Sequence, residues 1–220
     1  APRVALRTEE RNESAVARMI EKNTSFTLFL GLPMVVGLVV LASDIVLLFA
    51  GDGFAEAIPT MRLLAPELLI MALASITSGQ VLYARGRERE LLGVTIVVLV
   101  VAFGANFFLI PRFKQNGAAL GTVITRLVEL ILQAAVGWSL FGPALLNRRN
   151  GRVVAAGIIW TALLYVGTLM LADVGSAVRV LIIAPAGALL YGGTTLLLRC
   201  EPAQELARWL FGARRKGTSP

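Results

Sequence analysis

LLGVTIVVLVVAFGANFFLI, residues 91–110, is a run of twenty residues without a single charge. A helix of about 20 apolar residues crosses the ~30 Å hydrocarbon core of a bilayer, so this stretch reads as a transmembrane helix. Working outward from it, five more runs of the same character occupy 26–49, 58–83, 117–141, 153–172 and 178–198, each bounded by charges or by glycine and proline. Hydrocarbon offers the backbone no hydrogen-bond partner, so runs of this length close their own bonds as helices. The strands of a membrane barrel would instead alternate over segments of about ten residues. The expectation is an all-α membrane protein with about six transmembrane helices.

Composition agrees. Of 220 residues, 56% are hydrophobic and 16% charged, with a mean hydropathy of +0.74, whereas a soluble domain carries roughly a quarter of its residues as charges. The net charge of +7 therefore calls first for a membrane explanation, because basic residues gather in cytoplasmic loops and meet anionic headgroups there. A nucleic-acid partner would need the charges along one folded face, and they are not so arranged. No histidine is present and Cys200 is the lone cysteine. That combination excludes an intrachain disulfide, Cys/His zinc sites and Ser-His-Asp chemistry. No metal, no cofactor and no enzymatic role are expected. The chain opens at Ala1 without a methionine, and its first 22 residues hold mixed charges with no signal-peptide core; it reads as a piece of something longer.

Lysine and arginine set the expected orientation. The leader holds Arg3, Arg7, Arg11, Arg18 and Lys22, the second loop Arg85, Arg87 and Arg89, and the fourth Arg148, Arg149 and Arg152. With Arg199, Arg208, Arg214, Arg215 and Lys216 at the end, one side takes 16 of the 21 basic residues. The opposite loops offer only Arg112, Lys114 and Arg179, which puts both ends of the chain on the cytoplasmic side. The domain reading is a cytoplasmic interfacial leader over 1–22, a six-helix bundle over 23–200 and an amphipathic, basic cytoplasmic tail over 201–220. Val16, Met19 and Ile20 in the leader, and Leu206, Trp209 and Leu210 in the tail, each share one helix side. From Gly212 to Pro220 the sequence reads as disordered.

Polar groups within the runs are the candidate functional residues, because a charge in mid-membrane costs about 2.5 to 3.5 kcal/mol even on the insertion scale. Thr122, Arg126, Glu129 and Gln133 stand at a spacing that keeps them within a stripe of roughly 60° on one helix face. Arg126 and Glu129, three residues apart, can pair. In the second run, Glu67 follows Pro66, with Ser75 and Ser78 further along its face, and Arg62 can snorkel toward the interface. Asn106 offers an interhelical hydrogen bond. Each has a plainer reading as a helix-packing contact. Pro33, Pro66 and Pro185 bend their helices, and Gly117 and Gly121 form a small-xxx-small pair.

The order of several segments resembles a known family. Ala1-Pro2-Arg3-Val4-Ala5 precedes a charged leader, followed by Leu32-Pro33, Gly37-Leu38-Val39-Val40-Leu41-Ala42 and Leu47-Leu48-Phe49-Ala50-Gly51. Leu63-Leu64-Ala65, Val81-Leu82-Tyr83-Ala84-Arg85-Gly86-Arg87, Asn106-Phe107-Phe108-Leu109-Ile110-Pro111 and Gly117-Ala118-Ala119-Leu120-Gly121-Thr122 come next. Over residues 1 to 142 this resembles the second half of the polysaccharide and lipid-linked oligosaccharide flippases of the multidrug/oligosaccharidyl-lipid/polysaccharide exporter superfamily. The last two spans match only as generic membrane helices.

The resemblance implies the C-terminal lobe of a two-lobed bacterial inner-membrane transporter of 12 to 14 helices, working by alternating access. Its implied partners are a lipid-linked oligosaccharide substrate, membrane lipids and an N-terminal lobe of the same protein, without nucleic acid. The implied process is capsule, lipopolysaccharide O-antigen or exopolysaccharide assembly; a related subfamily that flips the peptidoglycan precursor is not separable on one half. On this reading Arg126 attracts an anionic pyrophosphate headgroup, and Glu129, Thr122, Gln133, Glu67 and Asn106 line the pathway with it. Two other readings stand beside it: a cation-coupled multidrug extruder of the same superfamily, which would rely on cavity carboxylates, and a non-transporting membrane scaffold subunit.

Overall fold

The computed structural model describes residues 2–171, 175–197 and 200–204. Among them the α-helices are α1 (Pro2–Val40), α2 (Ala42–Ala50), α3 (Ala57–Ile76), α4 (Glu88–Val136), α5 (Trp138–Leu145), α6 (Arg148–Met170) and α7 (Ser176–Leu197), and no strand occurs. A π-helical turn, Thr77–Leu82, carries α3 onward. Gly86, at φ 66°, then stops the chain in the left-handed region, with its N–H bonded to the Tyr83 carbonyl.

Five of the helices are long and apolar enough to cross a membrane: Ser14–Val40, Ala57–Leu82, Glu88–Val136, Arg148–Met170 and Val178–Leu197. The third of these is not one rod. At about 1.5 Å per residue its 49 residues would reach about 73 Å, more than twice a hydrocarbon core. Lys114 breaks it at φ 50°, ψ −125°, and the chain doubles back. The Arg87 Nη1 donates to the Val136 carbonyl at 2.8 Å, which brings together two residues that a straight helix would hold at opposite ends. Gly117 lies so close to Leu109 that a Cβ would collide with its carbonyl, and one on Gly121 would sit 2.5 Å from the Asn106 Oδ1. The glycine pair is thus what lets the two arms touch. Counting each arm, the described helices make six passes.

α1 is the central element and packs against α3, α5 and α6, while α7 packs on α6 and α2. The core gathers Ile20, Phe29, Ile76, Val81, Phe141, Val153, Trp160 and Tyr191. The Tyr191 hydroxyl donates to the Phe29 carbonyl at 2.9 Å, beneath a tilted stack of their rings at 5.5 Å. Trp160 fits because Gly187 opposite has no side chain. Outside this core the surface is apolar: Leu99 is 69% exposed, Phe103 76% and Leu197 83%. Such a surface is stable against lipid, not against water.

Two boundaries differ from the hydropathy reading. The run 26–49 is divided where Leu41 leaves the helical line at φ −89°, ψ 8°, and the run 117–141 is divided at Gly137 between α4 and α5. Conversely, the charged leader is continuous with the first span in one helix, Pro2–Val40; between Pro2 and Gly31 the chain has no proline or glycine to interrupt it. Within it Ile20 is fully buried, while Val16 and Met19 remain exposed. The tail residues Leu206, Trp209 and Leu210, and the segment 212–220, lie outside the described residues.

The ends of the bundle are distinguishable by their contacts. One end joins Asn23 to Gln80, Arg87 to Val136, and Arg149 to Glu21 and Glu201, so the basic leader, second loop and fourth loop share it. The other end joins Thr60 to Asn116, Gln115 to the Glu56 carbonyl and Arg179 to Asp44.

Candidate functional site

The second arm of α4, 115–136, carries the polar stripe. Arg126 lies twelve residues past Lys114 and ten before Val136, about 18 Å and 15 Å along the axis, which is mid-span. Its Nη1 donates to the Glu129 Oε2 at 2.8 Å, the i, i+3 pairing that helical geometry favours. Its Nε reaches across to the Glu67 Oε1 on α3 at 3.4 Å. Glu67 sits at the middle of its own span, so the two helices meet through charge at the same depth. Gln133 is buried at 2% exposure; its Nε2 donates to the Glu129 Oε1 at 3.1 Å, and its Oε1 has no partner among the described residues.

One guanidinium therefore serves two carboxylates. With all three ionised the cluster is net −1, so it is not a bare cation in the membrane. It is also open on one side: the Arg126 side chain is 40% exposed, against 23% for Glu67 and 21% for Glu129. A mid-span charge with that much exposed surface would be costly against acyl chains.

The remaining predicted residues are placed differently. The Thr122 hydroxyl donates to the Ala118 carbonyl of its own helix at 3.0 Å, one turn from Arg126 toward the fold-back. Asn106 is on the first arm, its side chain against Gly121. Ser75 and Ser78 bond back to Met71 and Ser75 carbonyls. The structure thus joins Arg126, Glu129, Gln133 and Glu67 in one network, and leaves Thr122 and Asn106 beside it.

Two further groups escaped the sequence reading. Asp44, only 6% exposed at its side chain, accepts from the Arg179 Nη1 at 3.0 Å, and the Arg179 Nε donates to the Leu171 carbonyl at 3.0 Å. An aspartate inside the apolar run 26–49 was the available signal. At the opposite end Ser25 donates to the Asn150 Oδ1 at 2.6 Å, and the Asn150 Nδ2 donates to the Ala144 carbonyl, also at 2.6 Å. Asn147 also donates to Glu21. These tie α1 to the α5–α6 turn, and no local pattern announces them.

Helices crossing a bilayer several times, with a half-open charged cluster held at mid-depth, define a polytopic membrane protein. The sequence model of the family described as lipid II flippase MurJ matches residues 1–191, so the chain belongs to that family. Among curated proteins it is similar to the probable low-salt glycan biosynthesis flippase Agl15 of Haloferax volcanii, at 24% identity over 206 residues. The alignment covers 94% of this chain and 43% of that relative, so the chain spans less than half the relative's length. No solved structure matches. The family match runs through α6 and most of α7, beyond the residues 1–142 on which the sequence resemblance rested.

Proposed function

We propose that the full-length protein is a flippase that carries a lipid-linked saccharide across the bacterial inner membrane for cell-surface polysaccharide assembly. In it the helices described above form the C-terminal lobe, with both ends cytoplasmic. The observation that carries this reading is Arg126, held half-exposed at mid-span between Glu67 and Glu129 in a chain of the lipid II flippase family. The remaining part of the protein supplies the other wall of the pathway, facing the open side of the cluster.

The charge count constrains how such a cluster meets an anionic headgroup. While both carboxylates hold Arg126, a pyrophosphate is repelled. Arg126 becomes available only when one carboxylate is neutralised or drawn away as the lobes move, and the other then keeps the guanidinium in place. Thr122, one turn off the network, extends the same face toward the fold-back end, while Asn106 lies against Gly121 between the two arms of α4.

Complementation of a flippase-deficient strain by the full-length protein carrying Arg126→Ala tests this. Loss of polymer output with normal membrane abundance is expected, and output equal to the unmodified protein would overturn it. The cluster's net −1 also favours a second reading, a cation-coupled extruder. Sodium- or proton-dependent lowering of cationic dye accumulation by the full-length protein would support that reading instead. A scaffold role calls for the polar stripe to be sealed between helices, and the exposed side of Arg126 speaks against it.

A further inference from the structure

A hollow of about 180 Å³ opens at the basic end of the bundle, between α1, the start of α6 and the segment 200–204. Its walls include Arg18, Glu21, Lys22, Arg149 and Glu201, over a floor of Phe26 and Val153. A second hollow adjoins it through Arg149 and Glu201 and adds Arg148 and Arg152. Among the described residues, five cationic side chains thus surround two carboxylates. Those carboxylates do not exhaust Arg149. It is 53% exposed and meets Glu201 at 2.8 Å and Glu21 at 3.6 Å, both through Nη1, and Glu21 also accepts from Asn147. A guanidinium presents five N–H donors in a planar fork suited to phosphate oxygens. The hollow also sits at the first turn of α6, where Asn147 caps the helix by accepting from the Arg149 N–H and the helix dipole adds positive potential.

We propose that this hollow binds the phosphate of an anionic membrane phospholipid. The position selects a lipid over a soluble anion. The apolar runs begin at Phe26 in α1 and at Val153 in α6, the two residues at the floor of the hollow, which puts the hollow at the boundary between headgroups and hydrocarbon. Phe26 at its floor is 40% exposed, and one turn deeper on the same helix Leu30 is 42% exposed. An acyl chain attached to a phosphate in the hollow lies directly along this surface. Basic pockets between transmembrane helices on the cytoplasmic side have the chemistry for such headgroups. The site is separate from the mid-membrane cluster and does not depend on the flippase reading.

Native mass spectrometry of the detergent-solubilised full-length protein, titrated with phosphatidylglycerol or with phosphatidylcholine of the same chains, tests the proposal. Phosphatidylglycerol is expected to bind preferentially, and each of Arg18→Gln and Arg149→Gln is expected to weaken it about fivefold, as one basic residue near a charged surface does. Glu201→Gln is expected to strengthen it, a gain that misfolding does not produce. Equal binding of the two lipids, or phosphatidylglycerol affinity unchanged in all three variants, would overturn the proposal. A parallel titration with inorganic phosphate separates the sources: full competition at equal concentration would make the hollow a soluble-anion site and overturn the lipid assignment.

Discussion

The pair Asp44–Arg179 and the cluster Glu67–Arg126–Glu129 are both charges held between membrane helices, yet they are built differently. Asp44 and Arg179 are 6% and 20% exposed, are balanced in charge, and are backed by a bond from Arg179 to the Leu171 carbonyl. The pair joins α2 to α7 near one end of the bundle. Arg126 is twice as exposed, is shared by two acids, and lies at mid-depth, where charge is most costly. A balanced, closed pair fastens two helices. An unbalanced, open cluster has a surface left over for something else to meet, and a net charge that a moving ligand can change.

The largest effect is expected from opening the closed pair. Asp44→Ala removes the carboxylate that faces Arg179 at 3.0 Å and should destabilise the protein by about 3 kcal/mol, read as a lowered thermal midpoint in detergent. The double change Asp44→Leu with Arg179→Met should recover most of the loss; no recovery would mean that the aspartate acts through something other than its partner. Next comes Gly117→Leu, which pushes a side chain into the Leu109 backbone and should separate the α4 arms at a cost of about 1–3 kcal/mol or more. A disulfide between cysteines introduced at 106 and 121 should form readily in the unmodified background and poorly in that variant.

Arg126→Ala should cost less stability than Asp44→Ala, because its carboxylates are already partly solvated, while abolishing the transport proposed above. The reverse ranking would erase the distinction between fastening and working charges. Glu67→Gln sharpens the same point: it leaves Arg126 paired with Glu129 alone, makes the cluster neutral, and is expected to change substrate dependence more than the thermal midpoint. The smallest effect belongs to Arg87–Glu90, an exposed pair at 3.0 Å. The hydrogen bond from Arg87 holds the Glu90 carboxyl below its usual value of 4.5. Whatever stability the pair adds is present above that usual value and is lost as pH falls through the lowered one. An NMR titration of Glu90 should give the lowered midpoint, Arg87→Gln should return it to normal, and Glu90→Gln, which leaves the Arg87 bond to the Val136 carbonyl in place, should scarcely move the thermal midpoint at pH 7.

Cys200 makes a contrast of another kind. Burial pushes its thiol up, and Arg152 only partly offsets that. Maleimide labelling at pH 7 should therefore be slow in the folded protein and fast after unfolding.

Much of the architecture was readable in one dimension. The uncharged run 91–110, its five companions and the lopsided arginines depend only on hydropathy and order along the chain, and the same is true of the Arg126–Glu129 pair at i, i+3. The division of 26–49 at Leu41 was not readable, since Leu41 is neither proline nor glycine and its departure from helical angles is imposed by packing. The continuous helix Pro2–Val40 was legible in principle from the missing breakers, but charge content argued for a separate leader. At the candidate site, Arg126, Glu129 and Gln133 were found together by periodicity on one helix, whereas the part played by Glu67 was not.

By itself, then, the sequence determined the solvent, the helical class, the approximate passes and the family, because burial in lipid acts on each segment independently of the others. Only the tertiary structure decided that Glu67 meets Arg126, that Asp44 meets Arg179, and that five cations gather around two adjoining hollows. Those meetings depend on how each helix is rotated and how deep it sits against its neighbours, and that is set by packing between segments far apart in the chain.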